Sequence, residues 1–557
     1  MADPNITKVY LLNVPLENDY KHTLYFESAD DQYSYFYGKR VSGCQFTDFS
    51  YQRKDGFIRV PLHFDTLVSK GVNYVMYQNT AYNSDRWFYA FITDMKYVND
   101  ERTDIYIETD VMQTWMNDID VKASFIEREH CADDTIGLHT YPEGLETGEY
   151  TCESSETYPM SDNYGFVIGA TIDLRDFSQS SMKPMCGGRY NGVYSGVQYY
   201  YFPNADKDVM TSPNDSSKTV RVGASAVKYI LEAVAEKAGS DGIHTIFIAP
   251  DFMFANSLYE EVEWGSDYPI GMYLLKSDQD PRTLFWTPVE NGVIEDYAPV
   301  NNNKLLCYPY RYMLVSNNAG GSAVYQYELF MDNKPDFEIK GAVTPGCSIR
   351  LVPVNYKNRS FHNEYGLTGA KYPICSWATD VYTNWLTQNS VNIGVNLAKG
   401  SLEVLGGLIS VAATQGGTAG VSGAAIASGL TTITNTLMQK HQMSFTPPQA
   451  EGNLNSGDVT FSMGKLTFTA YNMCVRPEYA KIIDNYFTMF GYKTCLVKVP
   501  EVNHRPYFWY TKTIDVSIDG AIPNKDMQKI KDCYNNGITF WRATASIGDY
   551  SQDNSIN

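Results

Sequence analysis

The sequence predicts a mainly β chain built from barrels or sandwiches, with a mixed α+β middle region and one long apolar loop insertion of helical character. Three observations carry that expectation. Aromatic residues make up 14% of the 557 positions, with 44 Tyr against 8 Trp, and such residues suit a pleated, half-buried surface. Short runs of β-forming residues separated by turns fill the first 124 positions. Residues 404–439 form a block of 36 positions without Asp, Glu, Lys, Arg or His. One core serves roughly 250–300 residues, so a chain of this length is expected to hold two to four domains.

From Lys8 to about Ser124, strands are expected at Val9 to Val14, Phe57 to Leu62, Tyr74 to Tyr77, Trp87 to Tyr97 and Asp104 to Thr109. Turns such as Lys54-Asp55-Gly56 separate them, the pattern of an antiparallel barrel or sandwich. The runs Tyr33-Ser34-Tyr35-Phe36-Tyr37 and Tyr199-Tyr200-Tyr201-Phe202 both suit a strand surface. The polar stretch from Asp133 to Asp162, interrupted by Pro142, Gly144, Gly148 and Pro159, has the character of a domain connection. Beyond it, strands Phe166 to Ile172 and Gly242 to Ile248 flank an amphipathic helix, Gly223 to Ala238. There Val227, Ile230, Leu231 and Val234 recur at helical spacing. After Pro447-Pro448 come a strand from Val459 to Ala470 and a helix from Pro477 to Phe490. Strands Thr494 to Val499 and Phe508 to Ile518 and a helix from Asn524 to Tyr534 complete the chain.

The uncharged block has two arms, 404–413 and 421–433, with Gly416, Gly417 and Gly420 between them as a hinge. Neither arm is the continuous apolar run of about 20 residues that a spanning helix needs, so a single-pass anchor is not expected. Gly, Ala, Ser and Thr let neighbouring helices approach closely, while the glycines weaken a helix in water. The apolar contacts would be Leu402, Leu405, Leu408, Ile409, Val411, Val421, Ile426, Leu430, Ile433 and Leu437. They fit a segment sheltered in one state and inserted into lipid in another. They fit equally a helical hairpin buried permanently in a core or subunit interface.

Lys and Arg total 44 against 64 Asp and Glu, a net charge of −20. That balance argues against a surface that grips nucleic acid by neutralising phosphates, and it also serves simple solubility. The ten cysteines are scattered without a C-x-x-C pair, so reduced thiols are expected and a zinc site is not. The first residues lack a basic n-region and an apolar h-region, so no signal peptide is expected. H-E-x-x-H, G-x-S-x-G, a phosphate-binding loop and the dinucleotide fingerprint are all absent, and no catalytic residue, cofactor or metal ligand is nominated. The densest charged cluster near a histidine is Glu127-Arg128-Glu129-His130, for which solvated or interface salt bridges are expected. Glu260, Glu261 and Glu263, or Asp278 with Asp280, could flank a sugar, but such groupings are ordinary among 64 acids.

Several collinear words carry a resemblance. They are Val14-Pro15-Leu16-Glu17-Asn18-Asp19-Tyr20-Lys21, Arg86-Trp87-Phe88-Tyr89-Ala90-Phe91, Asp110-Val111-Met112-Gln113-Thr114-Trp115-Met116 and Ser124-Phe125-Ile126-Glu127-Arg128-Glu129-His130. Two more follow near the end, Phe490-Gly491-Tyr492-Lys493 and Asn535-Asn536-Gly537-Ile538-Thr539-Phe540-Trp541. Over residues 8–150 and 384–557 the chain resembles the distal tail knob proteins of small short-tailed phages of the Picovirinae type, which infect Gram-positive bacteria. Residues 151–345 carry no such words. The resemblance implies an N-terminal β tube domain (1–130), a middle mixed region (131–345), a C-terminal β-rich tube domain (346–383 with 457–557) and an apolar loop (384–456). It further implies a non-enzymatic homohexamer in the virion, made in the host cytoplasm without a cofactor and joined to a proximal tail or lower collar protein. Its loops would plug the lumen and then line a passage through the host cytoplasmic membrane, with double-stranded DNA passing unbound. The alternative expectation is a receptor-binding or cell-wall-degrading tail protein that acts through its middle region.

Overall fold

The computed structural model describes residues 6–376 and 466–556. The longer internal breaks fall at 80–85, 159–163, 177–187, 237–241, 276–281 and 358–362. The chain is mainly β and divides into two compact units. Unit 1 comprises described residues of Met1–Glu149, Val293–Tyr310 and Val475–Asn557; unit 2 comprises those of Tyr150–Gly292 and Arg311–Cys474.

Unit 1 is built on a six-stranded antiparallel sheet in the order Arg40–Phe49, Thr7–Leu12, Tyr74–Asn79, Phe88–Asn99, Arg102–Thr109, Phe57–Val60. Five of the six lie at the strands that β-forming runs between turn residues predict; Arg40–Phe49 is an addition that the sequence reading did not include. A second sheet combines both ends of the chain, in the order His22–Leu24, Ile538–Trp541, Phe508–Ile514, Ser124–Glu129, Tyr492–Lys498. Val9, Val75, Ile105 and Trp115 share a core with Trp509, Ile530 and Phe540, so apolar burial fuses segments more than 390 positions apart.

The run Tyr33–Tyr37 corrects the strand reading: it lies in helix α1, Ala29–Gly38. Ser28 caps it, its Oγ accepting the Asp31 N–H at 3.1 Å, and Asp30 and Asp31 favour the positive end of the helix dipole. Gln32 and Phe36, four apart, form the buried stripe. Further along, α2 (Phe64–Ser69) and the single buried turn α3 (Val111–Trp115) belong to the same unit.

In unit 2, Tyr199–Phe202 does lie in a strand, Gln198–Pro203, of an eight-stranded mixed sheet. That sheet also holds Tyr164–Ala170 and Ile243–Pro250, and helix α4 (Gly223–Glu236) packs on it. Two four-stranded sheets and a two-stranded pair, Arg189–Tyr190 with Val193–Tyr194, are the other sheets of the unit among the described residues. One of the four-stranded sheets contains Tyr150–Thr157, so part of the polar connection forms a strand after all. Unit 1 finishes with α5 (Pro477–Phe490) and α6 (Asn524–Asn536), both at the predicted places.

Candidate functional site: the anchors of the apolar segment and a buried polar hub

Leu402, Leu405, Leu408, Ile409, Val411, Val421, Ile426, Leu430, Ile433 and Leu437, and the hinge Gly416, Gly417 and Gly420, lie outside the described residues. What the structure does place is the framework from which their segment departs. On the N-terminal side, Ile374–Ser376 is an antiparallel edge strand on Ile243–Pro250, with Thr245 opposite Ser376 and Phe247 opposite Ile374. On the C-terminal side, Leu466 and Phe468 enter the core of unit 2, and Thr469–Val475 pairs antiparallel with Arg311–Ser316. Side chains reinforce this return point. Thr467 Oγ1 donates to the Tyr158 carbonyl at 2.9 Å, Tyr158 N–H donates to the Phe468 carbonyl at 3.0 Å, and Asn318 Nδ2 donates to the Thr467 carbonyl at 2.9 Å. Arg311, buried on the partner strand, pairs with Glu153 at 2.8 Å. Both ends of the apolar segment are thus sheet-anchored in unit 2.

Unit 1 contains a polar hub that sequence reasoning missed. Arg128, Glu129 and His130 are buried; of the expected solvated or interface salt bridges, Arg128 and Glu129 do make ion pairs, but they are not solvated. The Arg128 guanidinium donates to the Gly491 carbonyl at 2.7 Å and pairs with Glu143, whose side chain is 1% exposed and also pairs with Lys304. Burial lowers the Lys304 ammonium pKa, against the opposing pull of Glu143. Glu129 pairs with Lys498 at 2.5 Å. Gly491 belongs there for steric reasons: φ is +63°, and a Cβ would stand 2.1 Å from the Glu129 carbonyl oxygen. Local sequence could hint at this hub only through the sign alternation of Glu127 to His130, because the matching charges lie far along the chain.

Residues 300–307 pack into the same hub. Asp484 of α5, fully buried, accepts from Tyr297 Oη at 2.8 Å, the Asn301 N–H at 3.0 Å and Asn302 Nδ2 at 2.8 Å. Asn302 Nδ2 also donates to Thr488 Oγ1 at 2.9 Å. Asp134 accepts the Asn303 N–H at 3.1 Å and the Tyr492 hydroxyl at 2.5 Å, and burial raises its carboxyl pKa. Every acceptor there is matched by a donor, the condition for burying carboxylates at tolerable cost. The chemistry of the hub is mechanical, a rigid cross-brace.

Of the acidic groupings noted in the sequence, two described members have partners of their own. Glu260 faces Arg175 at 3.5 Å, Glu261 accepts from Ser212, and Asp278 and Asp280 lie outside the described residues. Among the described residues, no group of three or more His, Cys, Asp or Glu is placed to hold a metal ion. None of the described helices is long and apolar enough to cross a membrane.

Residues 5–122, the six-stranded sheet with α1 to α3, match the family described as caudoviral major tail protein N-terminus. The six-stranded sheet of unit 1 is thus similar to the N-terminal part of a phage tail protein. Residues 286–555 match the family described as Bacillus phage phi29 tail knob protein gp9, C-terminal domain. Tail knob protein gp9 of Bacillus phage B103 is 27% identical, over 98% of this chain and 97% of that protein. The gp9 of Bacillus phage phi29 is 26% identical, over 98% of each. The bacteriophage C1 tail knob protein, gp12, shares the fold, with a TM-score of 0.65, 16% identity and 98% of each chain covered. Along almost its whole length the chain is homologous to the tail knob protein gp9 of these Bacillus phages, which supports a structural virion protein of the tail knob kind. The gp9 alignments run through residues 151–345 as well, where the sequence words give no resemblance.

Proposed function

We propose that the protein forms the knob at the distal end of a short tail as a homohexamer attached to a proximal tail or lower collar protein. Its apolar loops close the tube and later help to form a conduit through the host cytoplasmic membrane, through which double-stranded DNA passes. The observation that carries this reading is the 36-position uncharged block on a segment whose two ends are fixed in the sheets of one unit. A segment so tethered can change environment while its framework stays folded. The net charge of −20 supports passage without phosphate binding. In this reading the protein is not an enzyme.

The test is dye release from liposomes by the purified protein, intact and lacking residues 404–437, with oligomer size measured on both. Leakage that needs the segment, from hexamers in both cases, is the expected result. Absence of leakage from the intact hexamer under acid or protease treatment would remove the conduit and leave the loops as a plug. An adsorption defect in virions carrying the deletion, with the tail correctly assembled, would favour the receptor-binding alternative.

A further inference from the structure

His130 is buried at 2% exposure, and nothing in the reading above uses it. Its Nδ1 accepts the backbone N–H of Tyr510 at 2.7 Å, and its Nε2 lies 3.0 Å from the Thr488 carbonyl, to which it donates. Both partners are backbone groups, so they select one neutral tautomer, with Nδ1 bare. Titratable and charged groups come from every element around the ring. Arg128 and Glu129 come from its own strand and Cys131 from the loop that follows; Glu501, His504 and Arg505 come from residues 501–505, and Tyr510 from the facing strand. Glu129 is engaged by Lys498. Burial, then Arg505, His504 and Arg128, hold the imidazole far below its ordinary range, at about 3.

Thr488 connects this ring to the packed segment. Its carbonyl is held by His130 while its Oγ1 accepts from Asn302 Nδ2 at 2.9 Å. Asn301 and Asn302, at the head of residues 300–307, are therefore tied to the last turns of α5, which His130 pins to the strand Phe508–Ile514, while Asn303 and Lys304 are held separately by Asp134 and Glu143. The chain on either side of Val293–Tyr310 belongs to unit 2, so freeing these residues gives slack to that connection while both β frameworks remain folded.

We propose that His130 is the pin of an acid-release latch in unit 1. Protonation of Nδ1 by solvent turns an acceptor into a second donor facing the Tyr510 N–H, and the displaced ring frees residues 300–307 before the β core of the unit opens. The latch thus passes through a side chain that titrates.

Cys307, buried at the end of the latch segment, is the reporter, and Cys44 and Cys533, buried in the β core of unit 1, are the references. The full-length protein is labelled with a pyridyl disulfide, which reacts in acid, and each cysteine is followed by peptide mass spectrometry. The expected result is that Cys307 labelling gains about tenfold or more on both references between pH 7.5 and 5. His130→Asn, whose side-chain oxygen can still accept the Tyr510 N–H without titrating, should abolish that gain. Thr488→Val, which removes only the bond to Asn302, should speed Cys307 labelling already at pH 7.5. The three cysteines accelerating together in acid, or the gain persisting in His130→Asn, would overturn the latch. Should His130→Asn fail to fold, a constant Cys307-to-reference ratio in the unmodified protein is equally fatal.

Discussion

Two buried titratable side chains of unit 1 pull its stability in opposite directions as pH changes. Asp110 caps α3, accepting the Gln113 N–H at 3.0 Å and the Tyr74 hydroxyl at 2.8 Å. Burial outweighs these bonds and raises its carboxyl to about 6 from an ordinary 3.8. Between those values the folded protein holds the proton that the unfolded chain has lost, so the carboxylate costs stability at neutral pH and the cost fades as pH falls through 6. His130 behaves oppositely: with a folded value of about 3 against 6.5, its contribution is complete above pH 6.5 and declines as pH falls towards 3. From pH 7 to 5, Asp110 contributes a gain of about 1 kcal/mol and His130 a loss of about 2 kcal/mol, so the loss prevails. Asp110→Asn keeps an acceptor for Gln113 and removes only the gain. Its urea midpoint, followed by tryptophan fluorescence, should therefore fall further than that of the unmodified protein between pH 7 and 5. Parallel profiles would refute the assignment. Neither residue's role was legible in the sequence: Asp110 and His130 sit in the words that carry the family resemblance, but burial decides their chemistry, and local sequence does not show it; the bonds of His130 even go to groups more than 350 positions away.

Elements were legible where their period is strong. The helices at 223–236, 477–490 and 524–536 were found because an apolar stripe at helical spacing shows in one local window, and the N-terminal strands because turn residues separate them. Helix α1 escaped because its tyrosines and Phe36 have high strand propensity, and the cap at Ser28 together with the burial of Phe36 overrides it. Phe36 packs against Tyr74 and Tyr89, with ring centroids 5.5 and 4.5 Å away. Ser28→Ala should then cost about 1 kcal/mol in the stability of unit 1, and Ser28→Thr much less, measured by chemical denaturation at constant pH. Equal losses in both would mean that the cap does not hold the helix. The pairing of Ser124–Glu129 with Tyr492–Lys498 and Phe508–Ile514 is the opposite case. Each strand has a readable pattern, but nothing in a pattern of period two names its neighbour.

At the scale of the whole molecule, the open choice is between an apolar segment held in reserve and one that completes a core, because both explain a long uncharged block. The two differ in what the segment contributes to folding. Residues 377–468 close a loop of 92 positions between two sheet strands, and removing the 34 positions 404–437 leaves 58. For a segment that adds nothing to the core, the change in closure entropy stabilises the protein by less than about 1 kcal/mol, since that entropy varies only with the logarithm of loop length. Removing a core hairpin would instead expose its apolar partners, and each large buried side chain lost costs about 2 kcal/mol or more. Thermal and urea unfolding of the deleted protein, at matched concentration and with oligomer size checked, separate the two. The reserve reading expects midpoints that are unchanged or slightly raised, because Leu466 and Phe468 already close the core of unit 2 at the return point. A loss of several kcal/mol, or a smaller oligomer than that of the intact protein, would place the segment in a permanent core or interface, and any membrane leakage would then have to come from another part of the tail.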